Sequence, residues 1–180
     1  DFARGLPEYE WRLETTALPV SLPMPRWRGE PVEGKTPFIH AEQGFGDTLQ
    51  FVRFVPLVAQ RGARVVLEVQ PQLLPVLAPA AREWRITLIA QGAPRPRADL
   101  HCPLLSLPLA LGTTFDTIPA RTPYLSVPPA YRRKWRGSLG GHAKRKIGLA
   151  WSGRPQQHEN RTMPLAALEP IFAPEGIDWI

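Results

Sequence analysis

Cysteine is almost missing from this chain: Cys102 stands alone. No intrachain disulfide can form, and such sparing use of cysteine fits a reducing, cytoplasmic setting. With one Cys and four scattered His, the spacing of a zinc site is absent, so no metal is expected. No apolar run approaches the ~18 residues of a membrane-crossing helix, and no secretory leader is visible. Repeats of solenoid period and low-complexity segments are also absent. Lysine is scarce, four against eighteen arginines. The chain starts at Asp1 and stops within the apolar run "GIDWI", which suggests a fragment or a processed chain.

What is present is a globular composition with unusual punctuation. Hydrophobic residues make up 43% of the 180 positions, enough for one domain or slightly more. The 22 prolines are about twice average usage, but they are dispersed and mark loops and helix starts. Net charge is +6, densest in Tyr131-Arg-Arg-Lys-Trp-Arg136 and Lys144-Arg-Lys146. Such a run reads as a solvated basic helix and loop, or as a contact for phosphate or nucleic acid. Nucleic acid is the weaker reading, because no aromatic stacking platform accompanies the charge.

Strand and helix signals alternate. Residues 1–35 carry aromatic-charged clusters ("YEWR", "RWRGE") and closely spaced prolines, which predict an extended or partly helical leader packed on the domain. Phe38–Ala41 predicts a strand, and Asp47–Gln60 a helix with Asp47 as N-cap, Leu49, Val52, Val55, Val58 and Ala59 on one face, a kink at Pro56 and a stop at Gly62. Arg64–Val69, Ile86–Ala90 and Ala98–Cys102 predict further strands. Pro71–Ala80 and Leu104–Leu111 predict helices, and Thr113–Val127 a loop. A basic helix is expected over Pro128–Leu139. Ile147–Trp151, Pro164–Phe172 and Ile177–Ile180 then predict the strand, helix and strand of a second unit. The expected fold is α/β, a Rossmann-like parallel sheet with flanking helices and right-handed crossovers. The expected divisions are a leader over 1–35, a domain over 36–143 and the beginning of another, cut short, over 144–180.

Ligands of parallel sheets bind beyond the carboxyl ends of the strands, so three strand ends hold the candidate residues. The first is "HAEQGFGD", with His40, Glu42, Gln43, Gly44, Gly46 and Asp47. Its glycines would let the backbone turn sharply and approach a ligand, and Asp47 is either a plain helix cap or a reactive carboxylate. It is neither a dinucleotide fingerprint, for want of a third glycine, nor a P-loop. The second is "ADLHCPLLSLP", with Asp99, His101, Cys102 and Ser106. A Cys-His nucleophile there is disfavoured, because neighbours on a strand point to opposite faces. The third is "GLAWSGRPQQHENRTMP", where Ser152, Gly153, Asn160, Arg161 and Thr162 lead to a helix start. A hydroxyl and an arginine beside a helix N-terminus suit a diphosphate, and a Thr162 cap with a surface Arg161 is the plainer alternative.

Three blocks in this order, "HAEQGFGDTLQFVRFVPLVAQRGARVVLEVQPQLLPVL", "DLHCPLLSLPLALGTTFDTIPARTPYL" and "IGLAWSGRPQQHENRTMPLAALEPI", resemble the glycosyltransferase-like domain that follows tetratricopeptide repeats in many bacterial proteins. That domain is distantly similar to the lipopolysaccharide heptosyltransferases of GT-B architecture. The resemblance covers residues 9–180. It implies the N-terminal half of a GT-B fold with the start of its second Rossmann-like domain, substrates in the cleft between the two, and repeats upstream of Asp1. It also implies metal-independent transfer of a sugar from a nucleotide-sugar donor to an acceptor hydroxyl on a glycan or protein, with no cofactor. Asp47 would then be the general base, His40, Glu42, Gln43, Gly44, Gly46 and His101 would line the acceptor side, and Ser152, Gly153, Asn160, Arg161 and Thr162 the donor diphosphate. "ENRT" departs from the Asn-Arg-Ser more usual in relatives, keeping a hydroxyl. The alternative is a non-catalytic protein- or glycan-binding module on a degenerate transferase fold.

Overall fold

A computed structural model of the chain describes residues 1–15, 22–140, 144–152 and 162–180. The candidates Gly153, Asn160 and Arg161 lie outside the described residues. Two compact units are distinguished, Asp1–Pro128 and Pro129–Ile180.

The first unit is an α/β layer built on four parallel strands. β1 (Pro37–His40), β2 (Val66–Val69), β3 (Thr87–Ala90) and β4 (Leu100–Pro103) lie in the order β3-β2-β1-β4. All three ladders are parallel, with Ile39 opposite Leu67 and Cys102, and Leu67 opposite Leu88. Helical segments link them: α3 (Phe45–Phe51), a 3-10 turn over Val52–Phe54 and α4 (Val55–Ala59) after β1, α5 (Leu74–Glu83) after β2, and α6 (Leu107–Ala110) after β4. This is the expected α/β parallel sheet with flanking helices, in an order consistent with a Rossmann-like arrangement.

Side-chain alternation divides the sheet into two unlike faces. Ile39, Ala41, Leu67, Val69 and Cys102 join Val52, Val55, Val58, Leu73, Leu77, Leu104 and Leu107 in one apolar core. Removing these side chains from water, at ~25 cal/mol per Å² of apolar surface, is the main force holding helices to sheet. Phe38, His40, Glu68 and His101 alternate onto the other face. There the connection from β3 to β4, without a helix, lays Arg95 over the Phe38 ring, 5.3 Å from its centroid, and against Glu68 at 3.1 Å.

The helix after β1 differs from the expectation at two places. Gly44, not Asp47, is the N-cap, and Asp47 stands at the third helical position. The reason is a reach-back bond: the Gly44 N–H donates to Asp47 Oδ2 at 3.0 Å, which satisfies a donor the helix leaves open. The run over 47–60 is also not one helix, because the 3-10 turn over Val52–Phe54 sets Pro56 into the first turn of α4, where its missing N–H costs nothing. Gly62 closes the segment at φ +79°, as a helix stop needs.

The N-terminal residues form α1 (Phe2–Tyr9) and a single turn, α2 (Arg12–Thr15), neither with a buried residue. Pro25–Trp27 runs beside β4: the Trp27 N–H donates to His101 O at 2.7 Å and the His101 N–H to Pro25 O at 3.0 Å. Trp27 and Val32 are sealed into the core.

The second unit holds α7 (Pro129–Leu139), which is exposed along its basic length, and two strands, β5 (Arg145–Ile147) and β6 (Ile177–Trp179), paired parallel. The strand expected over Ile147–Trp151 is instead Arg145–Ile147, sharing only Ile147 with the expectation, because β6 pairs Arg145 with Ile177 and Ile147 with Trp179. Among the described residues between them, Leu165–Phe172 form a 3-10 helix.

Candidate functional site

Strand order places the reversal of the sheet between β1 and β4: the chain goes from β1 outward to β2 and β3, then returns to the other side of β1. The crevice beyond the carboxyl ends at such a reversal is where doubly wound sheets hold ligands. Here the β1 end supplies His40 to Asp47, and the β4 end supplies Pro103 to Ser106.

Glu42 turns its side chain inward, leaving it 5% exposed. Its Oε1 accepts the Leu105 N–H from the β4 end at 3.0 Å and Arg12 Nη2 at 2.9 Å. Arg12 also donates to Ser106 Oγ at 2.8 Å and, through Nη1, to Glu10 Oε1 at 2.8 Å. Arg26 donates to the same Ser106 Oγ at 3.2 Å and pairs with Glu10 Oε2. Ser106, in turn, donates to the Glu10 carboxylate at 3.0 and 3.1 Å. Burial pulls the Arg26 pKa below its ordinary value, as removing a cation from water must.

Amide side chains tie the neighbouring strand ends together. Gln70, after β2, donates to Gln43 O at 2.7 Å and accepts the buried Thr48 hydroxyl at 3.0 Å. Gln91, after β3, donates to Ala41 O at 2.9 Å. The loop from Ala41 to Thr48 is therefore pinned from beneath while its outer rim, Gln43 to Gly46, stays exposed. The glycines are not used for a sharp turn. Gly44 has φ −73°, open to any residue, and open space surrounds the position a Gly46 side chain would take. What they leave is bare backbone at the rim.

His40 and His101 meet on the opposite face of the sheet from the helical core, Nε2 to Nδ1 at 3.3 Å. His40 stacks on Phe38 with ring centroids 5.6 Å apart. Burial, with His101, Arg95 and Arg26 nearby, pushes the His40 pKa down to about 3, and burial with Arg26 lowers that of His101. Both rings are thus held neutral. Cys102 points into the core instead, its Sγ donating to Pro103 O at 3.3 Å. Burial pushes the thiol up to about 12, too high for a thiolate nucleophile.

The structure thus gathers the candidates into separate groups: Glu42 with the β4 end, Gly44 with Asp47, and His40 with His101. In the second unit Ser152 Oγ and Thr162 Oγ1 lie 3.4 Å apart, and the Met163 N–H donates to Trp151 O at 3.0 Å. The helix that follows is capped at Pro164 rather than Thr162. Among the described residues no group of three or more His, Cys, Asp or Glu could hold a metal, and no helix is long and apolar enough to cross a membrane.

Glu10, Arg12 and Arg26 were not foreseen as site residues. Their signal was present in the clusters "YEWR" and "RWRGE", where buried-type aromatics stand beside charges. Compared with models of protein families, with curated proteins and with solved structures, the chain matches none.

Proposed function

We propose that the chain belongs to a glycosyltransferase-like protein that moves a sugar from a nucleotide-sugar donor to an acceptor hydroxyl without a metal. The observation that supports this most is the loop after β1: at the reversal of the sheet, it offers exposed backbone from Gln43 to Gly46 and the partly exposed carboxylate of Asp47. An acceptor hydroxyl must lose its proton as it attacks the anomeric carbon, and a carboxylate in contact is the base for that step. Asp47 Oδ2 accepts the Gly44 N–H, which fixes the carboxylate in orientation, and Oδ1 takes the proton. In this reading the first unit carries the acceptor side. The second unit carries the donor side, where Ser152 and Thr162, with Gly153, Asn160 and Arg161, hold the diphosphate as negative charge develops on it.

The test is transfer by the intact protein from UDP-, GDP- and ADP-sugars. Asp47→Asn keeps the reach-back bond through its amide oxygen and loses the base. It should leave thermal stability within about 1 kcal/mol while lowering kcat by about 100-fold or more. Transfer at the wild-type rate would remove Asp47 as the base. One observation favours a second reading, a non-catalytic binding module: the crevice between β1 and β4 is occupied by the chain's own Arg12 and Glu10. Transfer of sugar by the intact protein would dismiss that reading.

A further inference from the structure

The side chains in the β1–β4 crevice do not balance. Arg12 is buried to nine-tenths, its side chain 9% exposed, yet its Nε has no hydrogen-bond partner among the described residues, and neither has the buried Nε of Arg26. A buried N–H left unpaired costs about 1–3 kcal/mol, so the cluster holds more donors than it has acceptors. A single carboxylate, Glu10, meets both guanidiniums and the Ser106 hydroxyl at once. Glu10 sits at the junction of α1 and α2, and it holds to the crevice through polar partners, Arg12, Arg26 and the Ser106 hydroxyl. Two crevices meet at it. One of about 120 Å³ is bordered by Glu10, Arg26, Arg28 and Ser106, and one of about 240 Å³ by Glu10, Trp11, Glu14, Arg26 and Arg28.

We propose that Arg12, Arg26 and Ser106 form a binding site for a compact oxyanion, a carboxylate or a phosphate, and that Glu10 is its built-in occupant. A planar guanidinium presents paired N–H groups that match two oxygens of either anion, and the hydroxyl of Ser106 supplies a third contact. When the Glu10 side chain turns outward into the larger crevice, beside Glu14, Arg12 keeps its bond to Glu42 and Arg26 loses its carboxylate partner. The vacated seat is then rich in donors, with the Arg12 and Arg26 guanidiniums and the Ser106 hydroxyl released from Glu10. Arg28, which borders both crevices, adds positive charge along the entry. Glu10 competes with any incoming anion, so affinity in the wild-type chain is the difference between two carboxylate-like fits. The inference does not depend on sugar transfer: the site takes the anionic group of whatever ligand the crevice receives.

The experiment compares wild type with Glu10→Gln by titrating inorganic phosphate, and in a second arm acetate, against sodium chloride at matched ionic strength. Glu10→Gln should bind at least one of the two anions about tenfold or more tightly than wild type, and the better arm identifies the class. Adding Arg26→Gln to the Glu10→Gln chain should abolish the gain. Equal affinity in wild type and Glu10→Gln overturns the proposal, as does binding that survives Arg26→Gln. A reading that needs no variant comes from amide shifts of the wild-type chain during the phosphate titration. Shifts at Arg12, Leu105 and Ser106 support the site, and shifts confined to the basic run 131–136 overturn it.

Discussion

His40 shows how far a residue's chemistry depends on its partners. Read in the sequence, it is a polar group at a strand end and a candidate for contact with substrate. In the fold it is 8% exposed, stacked on Phe38 and facing His101, with Arg95 and Arg26 adding positive charge. Glu68, its neighbour on β2, is already bound to Arg95. The folded chain therefore resists protonating His40 until about pH 3, against an ordinary value of 6.5. Below that ordinary value the unfolded chain takes up a proton that the folded chain refuses, so stability falls as pH drops from about 6.5 toward 3. By about pH 5 the loss from this residue should reach about 2 kcal/mol. Urea denaturation near neutral pH and near pH 5 checks this: His40→Gln should lose about 2 kcal/mol less than wild type between the two. An identical loss in both chains would show that another group titrates.

Asp47 marks where residue-level reading stops. Ser, Thr, Asn and Asp all cap helices, and a sequence shows that an aspartate stands near a helix start without showing which turn it serves. Gly44 three residues earlier takes the cap, and Asp47 reaches back to it. The residue's place at the strand end was legible, but its bonding was not. The ion cluster lay further from view, because Ser106 and Glu10 are 96 residues apart and no local pattern joins them.

At the scale of elements, the strands were the most legible feature. Short β-branched and apolar runs bounded by Gly and Pro placed all four strands of the sheet within two residues, while the pairing of β5 with β6 shifted β5 because a partner's register is not written in the strand itself. The turn at "RWRGE" positions the site without any sequence sign of its constraint. Gly29 has φ +116°, and a side chain there would bring its Cβ to 2.5 Å from the carbonyl oxygen of Ala110. This turn is what lets the chain carry Arg26 past β4 and lie against α6. Gly34 is also left-handed, at φ +70°, but nothing lies within 4 Å of its missing Cβ. Gly34→Ala should cost about 1 kcal/mol, the penalty of the backbone alone, and Gly29→Ala about 3 kcal/mol, with the collision added. Denaturant melts of the two variants separate these contributions. Equal costs would mean that the 26–30 segment can move off α6 freely.

At the scale of the molecule, stability is unevenly shared. Every buried hydrophobic residue from Trp27 to Ala110 belongs to the first unit, and no described residue of the second is buried. Core burial is what resists opening, and a two-stranded sheet is marginal alone. In the second unit the Ile180 N–H donates to Ile147 O at 3.0 Å and the Leu149 N–H to Ile180 O at 2.8 Å, and Phe172 meets Trp179 edge-on. In the first unit the Ala41 N–H donates to Glu68 O at 2.9 Å and the Leu73 N–H to Gln70 O at 2.9 Å, all four residues being buried. These bonds match in length, so geometry alone would protect all four amides alike. Burial distinguishes them. In hydrogen exchange on the whole chain, the Leu149 and Ile180 amides should exchange at least about a hundredfold faster than those of Ala41 and Leu73, a difference of about 2.7 kcal/mol in opening free energy. If all four instead exchange at one rate, the chain opens as a single cooperative body, and Ser152 and Thr162 are held as firmly as the crevice between β1 and β4. The faster exchange expected would mean that the first unit, with its crevice between β1 and β4, stays closed while the second unit opens on its own.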